Sequence, residues 1–257
     1  MTTLVLIATQ LVGTATLRPY VIGFLIFFLI AATRDLGGRR AMGYLAWGLS
    51  VAMVAELFST RIGIPFGLYH YTGETRGAEL FVSNVPIFSP LSFPFLAYAS
   101  FCLARMALPR TWAASRGGRV RMVLLAATLM TLLDVVIDPL AVLGDRWFLG
   151  RVFFYDTPGP YFGVPISNFV GWVIVGAAGV GLYLALGKND SGRRVWPGVA
   201  LYYAVLGFNL TMTVQIGELL LAVIGATIHL VVAVSVWSIH RKPGLAVRPQ
   251  SRGIQRL

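Results

Sequence analysis

A succession of apolar runs, several of them near or above the roughly 17–25 residues that cross a bilayer, leaves this chain few folds to choose from. Of its 257 residues, 57% are hydrophobic and only 12% are charged, half the roughly 25% charged residues of a soluble domain. Hydrocarbon offers no partner to an exposed peptide group, so the spanning segments must satisfy their hydrogen bonds internally, as helices do. The sequence therefore predicts an all-α, polytopic transmembrane helical bundle with about seven or eight spans. Residues 1–240 read as a single integral-membrane domain. Residues 241–257 read as a basic tail, expected to be disordered.

The formal net charge of +11 points away from nucleic acid, because most of the excess Arg and Lys lies in short connections and the tail, as the positive-inside rule expects. Connections at 34–40, 105–121 and 188–194, together with the tail, are basic. Those at 59–83 and 139–161 are close to neutral and rich in aromatics. The two sets alternate along the chain, as a consistent topology requires. This predicts a multi-pass plasma-membrane protein with the basic set and the C-terminus cytoplasmic. The first apolar stretch, 3–16, is short for a span. Met-Thr-Thr supplies no basic residues ahead of it, so it reads as a short or tilted helix instead of a signal peptide. The single cysteine, Cys102, excludes an internal disulfide and a multi-cysteine metal site.

Polar residues interrupt the apolar runs at one level. Asp134 and Asp138, one turn apart on a central helix expected from about 120 to 137 and stopping near Pro139, project from the same face. Helical rise places them about 20 and 26 Å from Arg121, and Glu56 about 24 Å from Arg40, across a core about 30 Å thick. Asn168, Asn209, Gln215 and Glu218 fall in the same outer band. Ionisable groups within a bilayer turn toward the bundle interior and one another, so one shared cavity is expected. The alternative is a polar network that only ties helices together. Asp145 and Arg146 read as an interfacial charge pair, Glu74 and Glu79 as solvated loop acids, and His229 as packing.

The chemistry open to such a cavity is narrow. No histidine spacing suited to a metal accompanies the acids, and the chain has three histidines in all. Phosphate loops, dinucleotide fingerprints and nucleophile elbows are missing from the sequence. Cofactor-free acid chemistry remains: carboxyls close together in a dry pocket hold at least one proton, and aromatic faces stabilise a cation. Together they suit protonation of an alkene in a lipid-soluble substrate.

Three stretches carry a resemblance. Glu56 with Gly63-Ile-Pro-Phe-Gly-Leu-Tyr-His-Tyr71, Asp134-x-x-x-Asp138-Pro139, and Tyr161-Phe-Gly-Val-Pro-Ile-Ser-Asn-Phe-Val-Gly-Trp172 resemble the CruF-type carotenoid biosynthesis family of membrane-integral carotenoid 1,2-hydratases. The likeness is ordered from Trp47 to Trp172 and weaker to His240. It implies cofactor-free addition of water across the terminal C1=C2 bond of an acyclic carotenoid of the lycopene, γ-carotene or bisanhydrobacterioruberin type. The partners it implies are a membrane-dissolved carotenoid, the bilayer and other carotenoid biosynthesis enzymes. Joined to the residue reading, it makes Asp134 or Asp138 the proton donor and Glu56 the group that positions or deprotonates water. Tyr69, His70, Tyr71, Trp147, Tyr161 and Asn168 are the expected substrate-binding residues. A carotenoid cyclase would share the protonation but exclude water, and a carrier or a non-catalytic membrane subunit would also keep buried acids.

Overall fold

The computed structural model describes residues 3–146, 150–186 and 194–241. Among these, the bundle consists of eight α-helices: α1 (Thr3–Leu17), α2 (Pro19–Leu36), α3 (Gly38–Ile62), α4 (Phe88–Ala107), α5 (Arg116–Ala141), α6 (Ile166–Leu186), α7 (Trp196–Gln215) and α8 (Leu219–Arg241). Six of them, all but α1 and α4, have both the length and the hydropathy to cross a membrane. The chain is a multi-pass helical membrane protein. Local signals set several boundaries. Pro19 opens α2 where a missing N–H costs nothing. Gly63 ends α3 in the left-handed conformation, its N–H returned to the Ser59 carbonyl. Ser115 caps α5 by accepting from the Gly118 N–H. The expected tail, 242–257, lies outside the described residues.

Two helices depart from expectation. The centre of the bundle is α4, not α5: residues 93–105 are buried without a break, and α2, α3, α5, α6, α7 and α8 all pack on it. Its alanines and serine admit close neighbours. On α7, Gly198 crosses α4 so tightly that a Cβ there would collide with the Cys102 thiol. And α5 does not stop at Pro139 but carries the proline inside its last turn, ending at Ala141. That ring forfeits one ladder bond, and the helix still closes with the Val142 N–H on the Asp138 carbonyl at 3.1 Å.

An ion pair buries itself at each end of the bundle. At the basic end, Arg105 binds Asp35 through two nitrogens, at 2.6 and 3.3 Å, while the Tyr98 hydroxyl and the Arg194 N–H donate to the same carboxylate. This gathers the ends of α2 and α4 and the approach to α7. At the other end Arg18 holds Glu79 at 2.8 and 3.3 Å, with Thr75 donating to the same acid. Glu79, expected as a solvated loop acid, is fully buried. Arg146 pairs with Glu218; the side chain of Asp145, expected to pair with Arg146, lies outside what the structure describes. Gln215 is exposed at the end of α7 and takes no part in a buried cluster.

The aromatic connections fold onto the bundle as short strands. β1 (Tyr69–Tyr71) pairs antiparallel with β4 (Phe153–Tyr155), and β2 (Phe81–Val82) with β3 (Val85–Pro86). Alternation along a strand sends successive side chains to opposite faces. Tyr69, Tyr71, Phe153 and Tyr155 consequently share one face, with ring centroids 5.5–6.1 Å apart. His70 and Phe154 take the other.

Candidate functional site

Four helices meet beneath the β1–β4 ribbon. There α3 presents Glu56, and α5 presents Asp134 and Asp138 one turn apart. Asn168 and Trp172, also one turn apart, come from α6, and Ser89 from the start of α4. Gly171 lets α6 approach: a Cβ there would press on the Phe66 ring and the Pro65 carbonyl, so the connection after α3 lies against the turn carrying Trp172.

Two hydrogen-bonded groups form. In one, the Tyr71 hydroxyl donates to Glu56 Oε2 at 2.6 Å and the Ser89 hydroxyl to Oε1 at 2.8 Å, with the two hydroxyls 2.8 Å apart. Burial, then the Glu56 carboxylate, push the Tyr71 phenol well above its usual range, so it keeps its proton and remains a donor. In the other group, the Asn168 amide nitrogen reaches Asp134 Oδ2 at 2.9 Å and Asp138 Oδ2 at 2.6 Å, and the Trp172 indole N–H donates to Asp138 Oδ2 at 3.2 Å. Asp134 Oδ1 is buried without a hydrogen-bond partner.

The two groups face a common cavity of about 130 Å³. Glu56, Tyr71, Ser89, Asp138 and Trp172 all line it, with Asn209 of α7. Its remaining walls are apolar: Phe88, Phe93 and Phe95 of α4, Val152 and Phe153 of the ribbon, Ile137 and Ala141 of α5, and Tyr20, Val21 and Phe24 of α2. A cavity of about 150 Å³ holds a benzene-sized molecule. This one has room for a branched hydrocarbon end, not for a long polyene. Among the described residues no cluster of three or more His, Cys, Asp or Glu is arranged to hold a metal.

The other expected site residues lie at different distances from this space. Asn168 and Asp134 stand directly behind Asp138, buried at 2% and 1% exposure. Tyr69 is buried behind Tyr71, against Phe153 and Tyr155. His70, on the outer face of the ribbon, meets Asp156 at 3.1 Å with nearly half its side chain exposed. Tyr161 packs on Phe162 and Phe169, away from the cavity lining. Trp147 lies outside the described residues. Trp172 and Ser89 were not expected. The i, i+4 spacing of Asn168 and Trp172, matching that of the two aspartates, is a sequence signal for Trp172; Ser89 carries none. His229, expected as packing, is buried and returns Nδ1 to the Gly225 carbonyl at 2.8 Å.

A sequence profile of the "Carotenoid biosynthesis protein" family matches residues 13–234. The chain belongs to the carotenoid biosynthesis protein family. The bisanhydrobacterioruberin hydratase of Haloarcula japonica is 31% identical over 208 residues, which make up 72% of this chain and 66% of that protein. The chain thus spans just under two thirds of that relative's length. No solved structure matches the chain. The matched region of this carotenoid biosynthesis protein runs from inside α1 to within α8, and so takes in both hydrogen-bonded groups and the whole cavity lining.

Proposed function

We propose that this chain is a cofactor-free hydro-lyase that adds water across the terminal C1=C2 bond of an acyclic carotenoid. The observation that carries the reading is the convergence of Glu56 and Asp138, from different helices, on one aromatic-walled cavity of end-group size. Kinship to a protein named as a hydratase supports it.

Asp138 is the proton donor. Its Oδ2 already accepts from Asn168 and Trp172, which leaves Oδ1 to carry and release a proton. The C1=C2 π pair takes that proton at C2, and positive charge develops at the tertiary carbon C1. The faces of Phe93, Phe153 and Trp172 stabilise it through their quadrupoles. Water held at Glu56 gives a lone pair to C1 and its proton to Glu56, and that proton returns to Asp138 before the next turnover. The sum is substrate plus one water. Asp134 and Asn168 act through Asp138 by holding its oxygen in place. The end group alone enters; the polyene stays in the bilayer. In the cell the protein sits in the plasma membrane, with its basic connections and C-terminus cytoplasmic, the site toward the outer leaflet, and other carotenoid biosynthesis enzymes as neighbours.

Expression in a lycopene-accumulating bacterium, with pigments analysed by mass, tests this. The expected products gain one or two waters, and Asp138→Asn abolishes the gain. Cyclic products of unchanged mass would replace the hydratase reading with a cyclase. Failure on lycopene and on a C50 acyclic carotenoid alike would overturn it.

A further inference from the structure

A hydratase buried in a membrane has a supply problem. Each turnover consumes a water, and apart from its acids, serines and Asn209 the reacting cavity is walled by hydrocarbon and aromatic rings. Water is sparse in the hydrocarbon on the bilayer side.

A second, smaller cavity adjoins the first. It lies under the connection between β1 and β2 and is lined by polar groups: Arg18, Thr72, Glu74, Thr75, Glu79 and Arg151. It measures about 20 Å³, above the roughly 10–15 Å³ that a water needs. Tyr71 and Val152 line both cavities. The Arg18 guanidinium lies over the Phe88 ring at 4.3 Å, and Phe88 belongs to the reacting cavity. The partition between the two spaces is therefore one side chain thick. One member of that partition, Tyr71, is the residue whose hydroxyl rests on Glu56 at 2.6 Å.

We propose that the cavity at Arg18 and Glu79 is the water inlet of the site, passing water between Tyr71 and Val152 to Glu56. The inference rests on the hydratase reading and deepens it. The Arg18–Glu79 pair stands beside the inlet, 3% and 0% exposed, and the lining that reaches solvent comes from Glu74 and Arg151. Thr75, donating to Glu79, completes the polar lining.

The test places a removable plug in the folded protein. Thr75→Cys, with Glu74→Cys as a second variant at the exposed rim, is prepared in membranes. Cys102, the one native cysteine, is fully buried in α4. Each variant is treated with a small or a bulky methanethiosulfonate, and labelling is verified by mass. Lycopene is the substrate probe, followed by a C50 acyclic carotenoid. A cation deprived of water reverts by losing a proton, so isomers of unchanged mass report the protonation step without needing water. The bulky adduct is expected to lower hydrated product at least tenfold while such isomers persist. The methyl adduct should do little, and reductant should restore hydration. Unchanged hydration at full labelling overturns the inlet, as does joint loss of hydration and isomerisation, which marks a distorted site. An unlabelled parent that hydrates neither probe overturns the hydratase reading itself, and the inlet with it.

Discussion

Asn168 and Trp172, one turn apart on α6, donate to the same carboxylate oxygen of Asp138, at 2.6 and 3.2 Å. Two donors on one oxygen fix the rotamer of the acid and leave the other oxygen as the place for a transferable proton. The amide does more, because it also reaches Asp134 at 2.9 Å and so bridges the two carboxyls.

Replacing Asn168 with Leu keeps the volume and removes the donor. Stranding a buried acceptor costs about 1–3 kcal/mol; carried into the transition state, this lowers hydration roughly 5- to 150-fold, since each 1.36 kcal/mol is a factor of ten in rate. Asn168→Gln should recover part of the loss. Pigment conversion per unit of protein in the membrane measures it.

Tyr71→Phe and Ser89→Ala each take one donor from Glu56. Each is expected to slow hydration about tenfold, equivalent to about 1.4 kcal/mol, within the range of one net hydrogen bond. The double variant should lose less than the product of the two, because both hydroxyls act on one carboxylate. A double-mutant cycle on initial rates reads the coupling.

Asp35→Ala leaves Arg105 buried without its acid at the end of the bundle far from the reacting cavity. Breaking one side of a buried pair costs about 3–5 kcal/mol, so thermal stability in detergent should drop sharply, while protein that survives hydrates normally. Pairing it with Arg105→Met should restore much of the stability. Proportional loss of activity in the folded fraction would show that the clasp reaches the site.

His70→Ala should change hydration less than twofold. The ring lies on the outer face of the ribbon with 44% of its side chain exposed, and exposed pairs of this kind contribute about 0–1 kcal/mol. A large effect would mean that the ribbon turns its other face to the substrate.

The parts of this architecture legible in the sequence are those that break an apolar pattern. Glu56, Asp134 and Asp138 stand out because a carboxylate in a hydrocarbon run demands an interior, and the structure does bring Glu56 and Asp138 to one cavity. Glu79 was illegible for the opposite reason: an acid in a polar, glycine-bearing connection looks solvated, and its partner Arg18 lies 61 residues away. The primacy of α4 was hidden as well: its hydropathy falls short of the spanning helices, and nothing local says which helices surround it. Tyr69, His70 and Tyr71 read alike as aromatic neighbours. Only the pairing with Phe153–Tyr155 decides which of them face inward. Arg146 meets Glu218 because the chain reversal after α7 brings that acid within reach, a closeness that no local pattern records.

The smallness of the reacting cavity has its own consequence for the order of events. A pocket that closes on a single terminus has no ruler for the rest of the polyene, so carotenoids of different length should compete as equals wherever their tips are identical. Were both ends of a symmetrical substrate hydrated under the proposed chemistry, it would have to withdraw and turn end for end between them. The singly hydrated pigment would then leave as a free species, and its early rise and later decay would trace the traffic of a distributive enzyme.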